Sequence, residues 1–152
     1  MVKKILVAVD GSETSYVALK YALNMGKVYN AKVIVFHAAI PLDYSQLPKY
    51  KEACHKVTQL PPEGKDVYSI DRTLSPLACA KKKAARMGYS RVTFKEIIAT
   101  SVAQAILDEA KTDKIDTIVL GNRGIGGIKG ILMGSIAYRI VEYANCNVVI
   151  VK

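Results

Sequence analysis

The sequence contains little cysteine and no long hydrophobic run, and each shortage excludes a class of protein. The three cysteines lie far apart without a CxxC pair, which argues against a cysteine metal site and favours reduced thiols. No apolar run approaches the roughly 20 residues that a membrane-spanning helix needs. The apolar run that follows Met1 is too short for the core of a signal peptide. We therefore expect a cytoplasmic protein without a membrane segment or a metal site.

A basic composition is the main bias of the sequence. The 22 lysines and arginines outnumber the 13 acidic residues, which gives a formal net charge of +9. Such a charge attracts polyanions, including nucleotides and nucleic acid. The densest cluster, at 81–83 and Arg86, lies in a helical pattern where it would form a solvated face, and no recognition-helix signature accompanies it. Nucleic-acid binding is therefore not expected.

Apolar runs and helical patterns alternate along a chain whose length suits one domain, residues 1–152. Strand-like runs occupy 5–9, 32–38, 91–98, 117–120 and 147–151. Helical patterns occupy 16–28, 74–87, 100–110 and the segment after 135. This alternation predicts an α/β fold, an open, doubly wound, five-stranded parallel sheet with helices on both faces. The run 91–98 alternates apolar and polar residues in its first half, which suits an edge strand.

The segment from Pro41 to Pro76 interrupts the alternation. It contains all five prolines, and its periodicity is weak. Two interpretations stay open, an ordinary surface excursion and a lid over the neighbouring site. We expect a partly helical, mobile excursion.

A glycine-rich loop between the fourth strand and the last helix carries the main functional signal. Bare backbone there lets an anion approach the N–H groups of the loop and of the first helical turn. Asp10 and Gly121 follow the first and fourth strands, and carboxyl ends of parallel strands share one edge of a sheet, so we expect them to meet. The loop and the helix start contain Gly121, Gly124, Gly126, Gly127, Gly130 and Gly134.

The spacing of these glycines selects among phosphate-binding motifs. Neither the Walker pattern GxxxxGK[ST] nor the Rossmann pattern GxGxxG fits, and Gly121-x2-Gly124-x9-Gly134-Ser135 remains. With the opening ILVAVDGSETSYVAL and the closing CNVVIVK, this spacing resembles the ATP-binding branch of the universal stress protein family. The resemblance covers the chain apart from the 41–76 excursion. It implies a Rossmann-like sheet of the adenine nucleotide alpha hydrolase-like type.

The resemblance also implies a set of ligand-binding positions. Adenosine would lie between the ends of strands one and two, with the phosphate tail at the start of the last helix. The Asp10 carboxylate would accept hydrogen bonds from ribose hydroxyls or the adenine amino group, and Mg²⁺ is implied by the phosphates rather than by any residue. The implied positions are Ala8, Val9, Asp10 and Ala38 for adenosine, Leu120, Gly121, Arg123 and Gly124 for ribose and the first phosphates, and Gly134, Ser135, Ile136 and Ala137 for the phosphate tail.

Structural alternatives stay open for these positions. The glycine loop is alternatively a plain connection, Asp10 a cap of the first helix, and Arg123 and Lys129 solvated charges. His37 and His55 lack a partner at any suggestive spacing, which favours structural or exposed histidines over catalytic ones.

A phosphate cradle without a general base indicates binding rather than catalysis. Our leading hypothesis is a regulatory protein of the stress response, in which ATP changes the conformation or assembly of a homodimer that an unidentified protein partner recognises. The family resemblance implies pairing through the exposed edge Val148–Val151. The alternatives are a slow ATP hydrolase or adenylating enzyme, whose acid or base would come from the excursion, and a ligand-free interaction module.

Overall fold

The computed structural model describes residues 2–39, 75–124 and 133–152. The proposed excursion at 41–76 lies outside the described residues except for Ser75 and Pro76, as do His55, Lys129 and the glycines at 126–130. The described elements, in chain order, are β1 (Lys4–Ala8), α1 (Glu13–Tyr29), β2 (Lys32–Ala39), α2 (Pro76–Met87), β3 (Val92–Ile98), α3 (Val102–Thr112), β4 (Thr117–Gly121), α4 (Ser135–Tyr143) and β5 (Asn147–Val151).

The five described strands form one parallel sheet in the order β3-β2-β1-β4-β5. The chain moves outward from β1 in one direction through β2 and β3, and in the other through β4 and β5. Strand order therefore reverses between β1 and β4, where ligands of doubly wound sheets bind. The predicted fold class is confirmed, and β3 lies at an edge of the described sheet, as predicted.

Helices cover both faces of the sheet, and strand residues supply the two cores alternately. Ile5 and Val7 pack into the core beneath α1 and α2. Leu6, which lies between them, packs into the core beneath α3 and α4. All three side chains are fully buried, which explains why β1 appears in the sequence as a continuous apolar run.

Helix α1 begins at Glu13, three residues before its apolar face starts at Tyr16, because its cap lies close to the end of β1. Ser12 is the N-cap, and its Oγ accepts a hydrogen bond from the backbone N–H of Ser15 at 3.2 Å. At the other end of the helix, Asn30 closes it in a left-handed conformation with φ of 52°. No described helix has both the length and the apolar character needed to cross a membrane.

Asp116 joins the beginning of β1 to the beginning of β4. Its Oδ2 accepts hydrogen bonds from the backbone N–H groups of Lys3 and Lys4, each at 2.7 Å. These two bonds stabilise the charged carboxylate, so they hold the pKa of Asp116 below its ordinary value of 3.8. The carboxylate therefore stabilises the strand pairing only while it is ionised.

Acid should weaken the fold through Asp116. Because its pKa is lower in the folded chain, its contribution to stability is present above the unfolded-state pKa and is lost as the pH falls through the folded-state pKa. Asp116→Asn should therefore be less stable than the wild type at neutral pH and should lose less stability below about pH 4. Thermal unfolding across this pH range checks both effects. Glu142→Gln, at an exposed position of α4, is the control, and equal pH dependence of the wild type and Asp116→Asn would contradict the assignment.

Candidate functional site

A cleft of about 730 Å³ opens at the carboxyl ends of β1 and β4. This volume lies within the roughly 300–1,000 Å³ typical of small-molecule sites. All twelve sequence-derived positions line it, and the structure thus brings together Ala8, Val9, Asp10, Ala38, Leu120, Gly121, Arg123, Gly124, Gly134, Ser135, Ile136 and Ala137. That they bind a ligand stays a prediction.

The Asp10 carboxylate is held in place by the cap of α1. Its Oδ1 accepts hydrogen bonds from the Ser12 backbone N–H at 2.9 Å and from the Ser12 hydroxyl at 2.6 Å. Asp10 does not cap the helix itself, because the N-cap is Ser12. It instead supports the cap residue, which leaves its carboxylate fixed on the wall of the cleft.

Gly124 lies directly against this carboxylate. A Cβ placed on Gly124 would lie 2.5 Å from Asp10 Oδ2, and among the described residues it would meet no other side chain or backbone closely. Any larger residue would therefore occupy the space in front of Asp10. Here the bare backbone keeps the cleft open.

Gly121 has a different role, although the motif treats the two glycines alike. A Cβ placed on Gly121 would lie 2.9 Å from both the backbone carbon and the Oγ1 of Thr14. Its absence lets the first turn of α1 contact the end of β4. In the same contact, the Thr14 hydroxyl donates a hydrogen bond to the Arg123 carbonyl at 2.6 Å. Gly121 thus permits the packing that positions the loop.

Helix α4 directs its amino end at the cleft. Its N-cap, Gly134, has no side chain to bond the N–H groups of the first turn, and Gly134 N–H itself donates to the Asn122 carbonyl at 2.7 Å. The amides of Ser135, Ile136 and Ala137 therefore lie at a positive helix end without a side-chain cap. The side chain of Ala137 is buried and apolar, so any hydrogen bond from this residue to a ligand must come from its backbone N–H.

An apolar wall completes the cleft, and the sequence did not indicate it. Its side chains come from β2, α3 and the end of the glycine loop, and α3 overhangs the cleft because it follows β3 at the same edge of the sheet. In the sequence Phe36 belongs to a strand run, and Val102 and Ile106 belong to an inner helix face. The apolar wall thus consists of Phe36, Val102, Ile106 and Met133, and the other lining residues outside the sequence-derived set are Ser15, Tyr138 and Arg139.

Charge in the described lining favours an anion. Arg123 and Arg139 are its cations, and Asp10 is its carboxylate. In the first turns of α1, the pKa of Tyr16 is raised to about 12, mainly by burial and further by the nearby Cys79 and Asp10. Its phenol therefore stays neutral, and it donates a hydrogen bond to the Pro76 carbonyl at 3.3 Å.

The described histidine has a structural role. His37 Nδ1 lies 2.7 Å from the Val9 carbonyl, and His37 Nε2 lies 4.0 Å from Glu96 Oε1. The ring thereby joins the ends of β1, β2 and β3 without lining the cleft. Within the ranges that the structure describes, no group of three or more His, Cys, Asp and Glu residues could hold a metal ion, and Cys79 and Cys146 are free thiols.

Comparisons with known proteins agree with this architecture. The model of the universal stress protein family matches residues 1–152. Universal stress protein YxiE of Bacillus subtilis is 32% identical over 156 residues, covering all of both chains.

Two solved structures share the fold. A universal stress protein in complex with cAMP has a TM-score of 0.68 at 23% identity, covering 99% of this chain and 97% of that chain. The universal stress protein from Archaeoglobus fulgidus in complex with dAMP has a TM-score of 0.65 at 19% identity, covering 100% of this chain and 98% of that chain.

Proposed function

Because the chain belongs to the universal stress protein family, we propose that it binds an adenine nucleotide, ATP, in the cleft at the carboxyl ends of β1 and β4. One observation carries this proposal: bare backbone at Gly124 faces the fixed Asp10 carboxylate, beside the uncapped start of α4. Two proteins of the same fold, described in complex with cAMP and dAMP, add support.

The lining residues fit the chemistry of each part of ATP. The apolar wall, with Phe36, Val102 and Ile106, offers a surface for the adenine ring. Asp10 accepts hydrogen bonds from the ribose hydroxyls or the adenine amino group. The amides at the start of α4 and the Ser135 hydroxyl donate to phosphate oxygens.

Mg²⁺ belongs with the phosphates rather than with a cage of protein ligands. The ion keeps several waters and binds through phosphate oxygens and few side chains, which fits a described lining with a single carboxylate. Its contribution is to neutralise phosphate charge. Arg123 and Arg139 carry positive charge as well, and they would help to neutralise the phosphates.

We assign the site a regulatory rather than a catalytic role. The described lining includes no histidine and no lysine, and Asp10 Oδ1 already accepts two hydrogen bonds from Ser12. Phosphoryl transfer requires a positioned base or nucleophile in addition to binding. ATP would therefore act by changing conformation or assembly, which a protein partner recognises during stress.

The proposed assembly is a homodimer formed through β5. This strand is an edge of the described sheet, paired with β4 on one side. An edge strand leaves a row of backbone N–H and C=O groups that a second copy can bond. In this proposal Val148–Val151 pairs with the same segment of its twin.

Identification of copurified and added nucleotide tests the binding proposal. The purified protein is denatured, any released nucleotide is identified by chromatography, and ATP with Mg²⁺ is then titrated by calorimetry. We expect released ATP, or saturable binding of one ATP per chain. Titrations with ADP and AMP measure the contribution of the terminal phosphates, and light scattering with and without ATP measures assembly. An empty protein that gives no heat with ATP would contradict the proposal.

A further inference from the structure

A second cavity, of about 600 Å³, lies between α3 and α4. It extends along α3, whose 11 residues span roughly 16 Å at about 1.5 Å per residue. Its floor is apolar, with Ala103, Ala110 and Ile115 buried and Leu107 half-buried. We call this cavity the α3–α4 groove.

Cations dominate the rims of the α3–α4 groove. Lys111 and Lys114 lie on one side and Arg139 on the other, and all three are exposed. In the described part of the chain, none of the three forms an ion pair within 4.0 Å. The rim carboxylate, Asp108, accepts a hydrogen bond from Gln104 Nε2 at 2.9 Å. The groove therefore combines apolar contact area with an excess of positive charge.

Lys114 gives a second, independent reason to regard the rim as functional. Its φ of +52° places it in the left-handed region, which strains residues with a Cβ. Glycine would close the end of α3 there without strain. The backbone on either side is fixed by hydrogen bonds, from Lys114 N–H to Lys111 carbonyl at 3.3 Å and from Ile115 N–H to Ala110 carbonyl at 2.8 Å. A lysine in this conformation indicates a use for its side chain.

We propose that the α3–α4 groove binds an acidic peptide segment of a partner protein. Apolar side chains of the segment contact the floor, and its carboxylates pair with Lys111, Lys114 and Arg139. Charge complementarity would raise the association rate and favour acidic partners over basic ones. A nucleic acid fits less well, because its sugar-phosphate backbone would leave the apolar floor uncovered.

Arg139 connects the groove with the nucleotide cleft, because it lines both. A guanidinium attracted to bound phosphates would leave the groove with fewer cations. Nucleotide should therefore weaken binding of the acidic segment, and the segment should weaken binding of nucleotide to the same extent. This coupling rests on the proposed nucleotide binding, whereas the groove itself does not.

Fluorescence anisotropy with the full chain tests the groove. The probe is a fluorescein-labelled peptide in which Glu and Leu alternate. We expect it to bind the nucleotide-free protein, and about tenfold more weakly in Lys111→Gln/Lys114→Gln, which removes two rim charges. Lys82→Gln/Arg86→Gln on α2 removes the same charge elsewhere and should bind as the wild type does. A Glu/Ser peptide should bind less tightly, because it lacks the apolar contacts.

Two further results decide against the alternatives. Lys114→Gly should raise the unfolding midpoint while weakening peptide binding about threefold, whereas a lysine that only closes the helix would leave peptide binding unchanged. If a labelled single-stranded oligonucleotide depends on Lys111 and Lys114 and the peptide does not, the peptide proposal is wrong.

The coupling is tested by repeating the peptide titration in saturating ATP. The dissociation constant of the peptide should rise several-fold in the wild type and stay constant in Arg139→Gln. A wild-type protein that binds ATP but not the peptide overturns the groove proposal. A protein that binds the peptide but not ATP overturns the nucleotide proposal and retains the groove.

Discussion

Replacement of Gly124 by alanine should lower the affinity for ATP at least tenfold while costing less stability than Gly121→Ala, whose Cβ would meet backbone atoms. The added Cβ would lie 2.5 Å from Asp10 Oδ2. Asp10 cannot turn aside easily, because the backbone N–H and the hydroxyl of Ser12 hold its Oδ1. A lost hydrogen bond to a charged group costs about 1.5–3 kcal/mol, which corresponds to about 10- to 100-fold in affinity. Calorimetric titration with ATP and Mg²⁺ measures the loss.

Gly121→Ala is the matched comparison, because it adds the same methyl group three residues earlier. Its Cβ would lie 2.9 Å from the backbone carbonyl carbon of Thr14, so α1 or β4 must move. We expect the unfolding free energy to fall by about 1–3 kcal/mol. Denaturant unfolding separates the two variants. Wild-type ATP affinity in Gly124→Ala would show that the carboxylate and the ligand do not meet beside this glycine.

The general position of the site could be predicted because topology determines it. Continuous apolar runs identified β1, β2 and β4 as buried parallel strands, and the carboxyl ends of such strands lie at one edge. Asp10 and Gly121, which lie at the ends of β1 and β4, were therefore expected at the same edge, and both line the cleft. The resemblance to a family then supplied the remaining positions, all of which line the same cleft.

The roles of individual residues could not be predicted in the same way. Gly121 and Gly124 are equivalent in the motif, and only the position of Thr14 distinguishes a packing glycine from one that keeps the cleft open. Val102 and Ile106 have the spacing of an inner helix face, which does not reveal that the first turns of α3 overhang the cleft. Such differences depend on contacts between elements distant in sequence.

A buried carboxylate on α3 gives the second large expected effect. Glu109 is 7% exposed at its side chain and accepts hydrogen bonds from Lys95 Nζ at 2.8 and 2.6 Å, whereas Lys95 is 47% exposed. Lys95→Met should lower the unfolding free energy by about 2 kcal/mol, because it leaves the buried charge without its partner. The loss is below that of a fully buried pair, since water reaches the lysine. Denaturant unfolding at neutral pH measures it.

The double variant Lys95→Met/Glu109→Leu separates the unpaired charge from the loss of the contact itself. Removal of both charges should restore most of the stability, because apolar side chains of similar size fill the same space.

The hydrogen bonds with Glu109 raise the pKa of Lys95 above its ordinary value of 10.5. The contribution of the pair is therefore complete below the unfolded-state pKa and is lost as the pH rises through the folded-state pKa. Wild type should lose stability in this alkaline range and the double variant should not. If Lys95→Met and the double variant are equally unstable, the loss of unfolding free energy comes from altered packing between β3 and α3 rather than from an unpaired carboxylate.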